Sequence, residues 1–286
     1  MNLALVYLSY IPFGTEYLIS FLNSYTNKKA GVEHKLVILF NGHQTEDEIK
    51  PFLEILNNSG VPFGYKVSPE KFDIGSYFYA AANLSTEYIA FVNTYSLILH
   101  DNWLLYLYQN LTKTGVGCVS ATGSWSDYPH NDEYRSIIKD FLRLNFSLNK
   151  LKKAIFFRFN FFPVVKPHLR TNAFMIKRTI FLNLKFGLVK PRILNTFTNY
   201  SGTKLKSLCF EHGNTGMTNQ IIQLGLRPLL VNKHGAGYEI KEWREARTFW
   251  TNDQENLLVK DNQTMKYELA DKQRKNELIY AAWGDK

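Results

Sequence analysis

Apolar positions in the first half of the chain alternate between two periods. Residues 3–9 (LALVYLS) form a nearly unbroken apolar run, and Tyr17, Leu18, Phe21, Leu22 and Tyr25 then return at helical spacing. The run predicts a strand buried on both faces and the spaced set an amphipathic helix. The pattern then repeats. KLVILF at 35–40 is a second apolar run that stops at the turn pair Asn41-Gly42. Ile49, Phe52, Leu53 and Leu56 mark a helix that tolerates Pro51 only in its first turn. Residues 87–92 predict another strand. Asp101 stands where it would cap a helix carrying Leu104, Leu107, Tyr108 and Leu111 on one face. Residues 117–122 close the series as a further strand.

This alternation predicts an α/β fold with a mainly parallel central sheet flanked by helices. Ligands of such sheets sit beyond the carboxyl ends of the strands. That rule singles out Ser9-Tyr10, Asn41-Gly42, Asn93-Thr94-Tyr95 and residues 121–124. The second half is less regular. Residues 134–144 predict a helix, and HLRTNAFMIK at 168–177 one strand entered from a loop. A helix is predicted over 215–224, ended by Gly225, with a strand over 227–231. Beyond Glu242 the chain turns polar, with Trp243, Trp250 and Trp283 as anchors and a helix over 272–283. This part reads as a tail wrapping the body.

Composition narrows the picture. The chain has 286 residues, 45% hydrophobic and 21% charged, which suits a globular protein with a substantial core. The first ten residues are apolar but lack a basic leader and run into Pro12 and Gly14, too short for a signal or a membrane span. Two distant cysteines, Cys118 and Cys209, lack metal-ligand spacing and read as buried thiols in a reducing compartment. The net charge of +9 favours phosphate-bearing partners. Part of it lies at 150–166, where Lys150, Lys152, Lys153, Arg158 and Lys166 interleave with Phe156, Phe157, Phe159, Phe161 and Phe162. The stretch suits either a solvated basic face over packed aromatics or peripheral contact with a membrane surface or lipid-linked acceptor. No phosphate loop, Gly-x-Ser-x-Gly elbow, His-Glu-x-x-His or Cys-x-x-Cys motif occurs, nor any recognisable nucleic-acid motif. No nucleic-acid partner is expected.

Four segments together resemble the inverting glycosyltransferases of the GT-A fold, similar to the family 2 type. Residues 3–9 with KLVILFNG look like its first two strands, and Phe72-Asp73-Ile74-Gly75 like the segment ahead of the next helix. YIAFVNTYS at 88–96 looks like the strand ending in its Asp-x-Asp motif. CFEHGNTGMTNQIIQLGLRPLLV at 209–231 looks like its late acidic segment, helix and strand. The resemblance covers about residues 3–232 and rests on order and spacing. It implies a GT-A-like fold and transfer of a sugar from a nucleotide-sugar donor to a glycan or glycolipid acceptor, in surface polysaccharide or lipopolysaccharide assembly at the cytoplasmic face. A donor-binding half (1–125), an acceptor-binding and catalytic half (126–241) and the tail (242–286) follow from it. The other reading is a non-catalytic protein that binds sugar nucleotide or glycan on a degenerate version of the same fold.

The resemblance makes Glu211 the general base, whereas its neighbourhood alone reads as an acid at a helix start, favoured by the macrodipole. Ser9, Tyr10, Asn41, Asp73, Gly75, Asn93, Thr94 and Tyr95 are the donor-binding candidates. Asp73 either accepts a ribose hydroxyl or caps the helix beginning near Gly75. His168, Arg170, Asn172 and His212 are the substrate-binding candidates, Arg170 suiting a donor phosphate, an acidic acceptor or a surface ion pair. Tyr10 and Trp125 either stack on a ligand or pack in the core. The family's two aspartates hold Mg²⁺ or Mn²⁺ on the donor diphosphate, but their positions here carry Asn93 and Tyr95, poor ligands for either ion. Transfer then proceeds without metal, or the ion draws on Asn93, His212 or His234.

Overall fold

The computed structural model describes residues 2–70, 72–126, 159–160, 165–187 and 203–284. The first half follows the expected alternation: β1 (Leu3–Tyr10), α1 (Glu16–Asn27), β2 (Lys35–Asn41), α2 (Lys50–Asn58), β3 (Gly64–Val67), α3 (Asp73–Ala82), β4 (Tyr88–Val92), β5 (Leu97–Ile98), α4 (Trp103–Leu111) and β6 (Val116–Ser120). Then come β7 (Gly123–Ser126), β8 (Val165–Leu169), β9 (Ala173–Lys177), α5 (Arg178–Asn183), α6 (Thr203–His212), α7 (Met217–Gln223), β10 (Arg227–Val231) and β11 (Gly237–Tyr238). The tail adds β12 (Val259–Lys260), α8 (Asn262–Glu268) and α9 (Lys272–Trp283).

Among the described residues eight strands form one sheet, in the order β3-β2-β1-β4-β9-β6-β10-β11. β1, β2, β3 and β4 run parallel, as do β6 and β10, while β9 lies antiparallel between β4 and β6. The fold is therefore α/β with a mainly parallel central sheet flanked by helices. Strand residues alternate between two apolar layers. Leu3, Leu5 and Tyr7 pack with α1, α2 and α4, whereas Ala4, Val6 and Leu8 face α3, α5, α6, α7 and the tail. Burial on both faces explains why the strands read as unbroken apolar runs.

The tail is anchored by its tryptophans. Trp243, Trp250 and Trp283 are all buried in the second layer. The Trp283 indole donates to the carbonyls of Phe249 (3.0 Å) and Trp250 (3.2 Å). Asp261 caps α8, accepting from the backbone nitrogens of Gln263 and Thr264. Both cysteines are buried and free.

Several expectations change locally. HLRTNAFMIK is two strands, β8 and β9, broken by a tight turn at Arg170-Thr171-Asn172. Asp101 does not cap α4: Asn102 holds the N-cap position in a left-handed conformation, and the Asp101 carboxylate accepts from the backbone nitrogen of Lys29 (2.7 Å). The helix expected near Gly75 begins at Asp73, and Pro51 does sit in the first turn of α2. The helix predicted over 134–144 and nearly all of the basic aromatic stretch lie outside the described residues. Of that stretch, Phe159 is exposed and Lys166 is buried, its ammonium donating to Asn214 (3.2 Å). Among the described residues no helix is long and apolar enough to cross a membrane.

Candidate functional site

The carboxyl ends of β1, β2 and β4 point to one edge of the sheet. Because β9 is antiparallel, its amino end arrives at the same edge: Ala173 pairs with Val92, and the Asn93 nitrogen donates to the Asn172 carbonyl (2.9 Å). The turn before β9 is pinned from below. The Ser120 hydroxyl donates to the Arg170 carbonyl (2.9 Å), the Arg170 nitrogen to the Thr122 carbonyl (3.0 Å), and the Thr122 hydroxyl to Asn172 Oδ1 (2.7 Å).

Two adjoining cavities open at this edge and share Asp73, Asn93 and Glu211. The first, about 370 Å³, is also lined by Tyr10, Phe13, Asn41, Thr94 and Tyr95. Tyr10 meets Phe13 edge-on (4.7 Å), and Phe13 and Tyr17 pack on Tyr95 at 5.3 and 5.0 Å. Gly42, at φ +81°, lets the chain leave β2 directly beneath Tyr10, where a Cβ would meet its ring. Asn41 donates to the Ser76 hydroxyl, and its buried Oδ1 has no hydrogen-bond partner among the described residues. Thr94 ties β4 to β1 through the Leu8 carbonyl (2.8 Å). This cavity combines aromatic faces with a buried amide acceptor.

The second cavity, about 310 Å³, is polar. It is lined by Ser124, His168, Arg170, Thr171, Asn172 and His212, and from the tail by Phe249, Trp250, Gln263 and Lys266. His168 lies 3.2 Å from the Ser124 hydroxyl and packs edge-on against His212 at 4.4 Å. Thr171 donates to Glu211 Oε1, and His212 Nε2 lies 3.8 Å from Glu211 Oε2.

Glu211 is not at a helix start. It sits in the last turn of α6, the negative pole of that helix, so the macrodipole does not account for it. Burial raises its pKa to about 8, with the Asp73 carboxylate adding and the Thr171 hydrogen bond and the Arg170 charge opposing. Burial likewise raises Asp73, which does not cap α3: Phe72 holds the N-cap position, and the Asp73 carboxylate accepts from the adjacent Ile74 nitrogen (2.8 Å). Burial, then the charges of Arg170 and Lys166, lowers His212 to about 3. At neutral pH a neutral imidazole therefore faces a largely protonated carboxyl, and their contact is no ion pair. One fifth of the Glu211 side chain stays accessible. A carboxyl poised this way is a strong proton acceptor once ionised.

The site does not offer a divalent cation a good set of ligands. Asn93 Oδ1 already accepts from the Tyr95 nitrogen (3.1 Å) and the Ser96 hydroxyl (3.0 Å), and the Tyr95 ring is packed among aromatics. His234 lies in the turn between β10 and β11, in the electrostatic neighbourhood of His100, and lines neither cavity. Among the described residues no group of three or more His, Cys, Asp or Glu side chains is arranged to hold a metal.

No family model and no curated protein matches the chain. It is similar to solved glycosyltransferase structures. One is glucosyl-3-phosphoglycerate synthase from Mycobacterium tuberculosis in complex with Mn²⁺, UDP and glucosyl-3-phosphoglycerate, at 15% identity and a TM-score of 0.38, covering 65% of this chain and 60% of that one. Another is a mannosyltransferase from Pyrobaculum calidifontis in complex with GDP-Man and Mn²⁺, at 13% identity and a TM-score of 0.36, covering 62% and 45%. The match thus spans about 60% or less of those chains. A TM-score below 0.5 is too low to transfer function.

Of the residues singled out from sequence, Tyr10, Asn41, Asp73, Asn93, Thr94, Tyr95, His168, Arg170, Asn172, Glu211 and His212 line the two cavities. Ser9 and Gly75 line neither: Ser9 is buried on the strand position between Leu8 and Tyr10, and Gly75 packs on Glu70. Trp125 lines a separate apolar cavity with Ile222, Leu226 and Ile240. Sequence reasoning missed Thr171, Phe249, Gln263 and Lys266. The capping pattern Asp261-Asn262-Gln263-Thr264, a helix-start signal inside the polar tail, was a clue to the last two.

Proposed function

We propose that the protein is a glycosyltransferase that moves a sugar, with inversion, from a nucleotide-sugar donor to a glycan or glycolipid acceptor. One observation carries this reading: Asp73, Asn93 and Glu211 lie where an aromatic, amide-lined cavity meets a polar one. The aromatic cavity suits a nucleoside, with Tyr10, Phe13 and Tyr95 offering ring faces and Asn41 Oδ1 an acceptor for a base N–H or ribose hydroxyl. The polar cavity suits the acceptor, and the reacting atoms meet between them. Ionised Glu211 takes the proton of the acceptor hydroxyl as that oxygen bonds to the anomeric carbon. The bond to the donor diphosphate breaks, and the diphosphate leaves with the electron pair. His168 and His212 orient the acceptor, and Arg170 and Asn172 contact substrate. Asn93 and Tyr95 do not fit a divalent cation, which leaves the departing charge to the protein's own donors. The order of motifs along the sequence supports the same reading, as does the net positive charge, and it favours surface polysaccharide or lipopolysaccharide assembly at the cytoplasmic face as the setting.

A panel of nucleotide sugars tests this by thermal shift and by donor hydrolysis without acceptor. One nucleotide class should stabilise the protein and be slowly hydrolysed, with or without EDTA. Glu211→Gln should keep binding and lose hydrolysis and transfer by 100-fold or more, on the order of the loss of a general base. Binding without hydrolysis in the native chain would instead favour a non-catalytic sugar-nucleotide receptor.

A further inference from the structure

Two residues lining the polar cavity carry buried donors that no described residue satisfies. Arg170 NH1 and Asn172 Nδ2 are each inaccessible to solvent and without a hydrogen-bond partner, and both residues line the cavity. Buried unpaired donors are costly, so a native protein that keeps two in one turn does so for a reason. Their surroundings point to one. The guanidinium of Arg170 lies over the Phe249 ring at 4.3 Å, and its NH2 donates to Asp261 Oδ2 at 2.8 Å. Asp261 is fully buried, and its other oxygen accepts from the first turn of α8. The tail thus clamps the NH2 end of the guanidinium and leaves NH1 without a partner in a residue that lines the cavity. Lys266, one turn along α8, brings a second cation to the same cavity. An unpaired guanidinium nitrogen and an unpaired amide donor in one turn, both from residues lining the same cavity, suit an oxyanion.

We propose that Arg170 and Asn172, with Lys266 nearby, form an oxyanion-binding corner that takes a phosphate or carboxylate group of a substrate, and that Asp261 is its positioning residue. The corner deepens the glycosyltransferase reading, which supplies two sources for the anion: the donor diphosphate, whose departing charge would be met by a guanidinium in place of a metal, or an acidic group on the acceptor.

Titration of the full chain with inorganic phosphate, pyrophosphate, nucleoside diphosphates and the parent nucleosides tests it. Arg170→Gln should weaken pyrophosphate at least tenfold and leave nucleosides unchanged, and Arg170→Lys should restore part of the loss. Asp261→Asn should weaken pyrophosphate but not nucleosides, which a general loosening of the fold would not produce. The double variant Arg170→Gln/Asp261→Asn removes both buried charges and serves if the single ones misfold. A collapse of the preference for nucleoside diphosphate over nucleoside identifies the donor as the source. An unchanged preference, with a raised KM for acidic but not neutral acceptors, identifies the acceptor. If pyrophosphate binding depends on Arg170 but no nucleotide binds, the corner stands and the glycosyltransferase reading fails. If phosphate, pyrophosphate and acidic acceptors bind the double variant as they bind the native chain, the proposal is wrong.

Discussion

Replacing Glu211 by Gln should stabilise the protein, and increasingly so as the pH rises. The carboxyl is held neutral in the native state, moved from an ordinary 4.5 to about 8 chiefly by burial. In the unfolded chain it ionises near its ordinary value. Between these limits the native state binds a proton that the unfolded state has lost, so stability falls as pH rises. The favourable contribution is complete below about pH 4.5 and is lost by the time pH passes 8. At about 1.4 kcal/mol per pH unit, the span corresponds to roughly 5 kcal/mol, an upper figure because one fifth of the side chain is accessible. Gln has the same shape, still accepts from Thr171 and carries no charge, so it escapes this loss. Urea or thermal unfolding of both proteins at pH 5, 6.5, 8 and 9 measures the effect. The stability gap should be small at pH 5, widen through pH 8 to a few kcal/mol, on the order of 10 °C in Tm, and then level off. A gap that stays constant across this range, or a Gln variant less stable at pH 8, would refute the account of Glu211 as a carboxyl stored neutral.

The remaining predictions concern its neighbours. Transfer should rise with pH along a limb near 8 as Glu211 ionises, and Asp73→Asn should move that limb to lower pH, since the Asp73 charge helps hold the proton on; an unmoved limb in the pH–rate profile would separate the two residues. Gly42→Ala forces a side chain into a left-handed conformation against the Tyr10 ring, and should cost roughly 1–2 kcal/mol by urea denaturation while weakening nucleotide binding. Trp283→Ala removes a fully buried indole and both of its hydrogen bonds; it should destabilise by about 3–5 kcal/mol and widen the polar cavity behind Phe249 and Trp250. Loss of acceptor-dependent turnover with donor hydrolysis retained would report that widening.

The sequence was most legible where local pattern and burial coincide. β1 and β2 are buried on both faces, so their apolar runs announced them, and Asn41-Gly42 marked the end of β2 because only a positive φ completes that turn. Asp73, Asn93 and Glu211 were singled out by their order along the chain, although 138 positions separate the first from the last (211 − 73). Their convergence is a product of strand order, which no local window contains. The context of Glu211 was misread because α6 has no clear apolar stripe, while the glycines after it resemble a loop leading into α7. The partnership of Arg170 with Asp261 and Phe249 was invisible for a different reason. A contact between residues so far apart in sequence leaves no periodic trace, and Asp261 looked like any other helix cap in a polar stretch. Splitting residues 168–177 into two strands likewise needed Thr122 and Ser120, which pin the turn from another part of the chain.

The reach of the tail back to the sheet edge bears on how the molecule is made. The nucleoside-sized cavity is built from β1, β2, β4 and neighbouring loops plus α6, while the polar one needs Trp250 and Ala282 as walls. A nascent chain that has folded its sheet and α6 has the aromatic cavity, but the polar one gains its last walls only when residues up to Ala282 have emerged and docked.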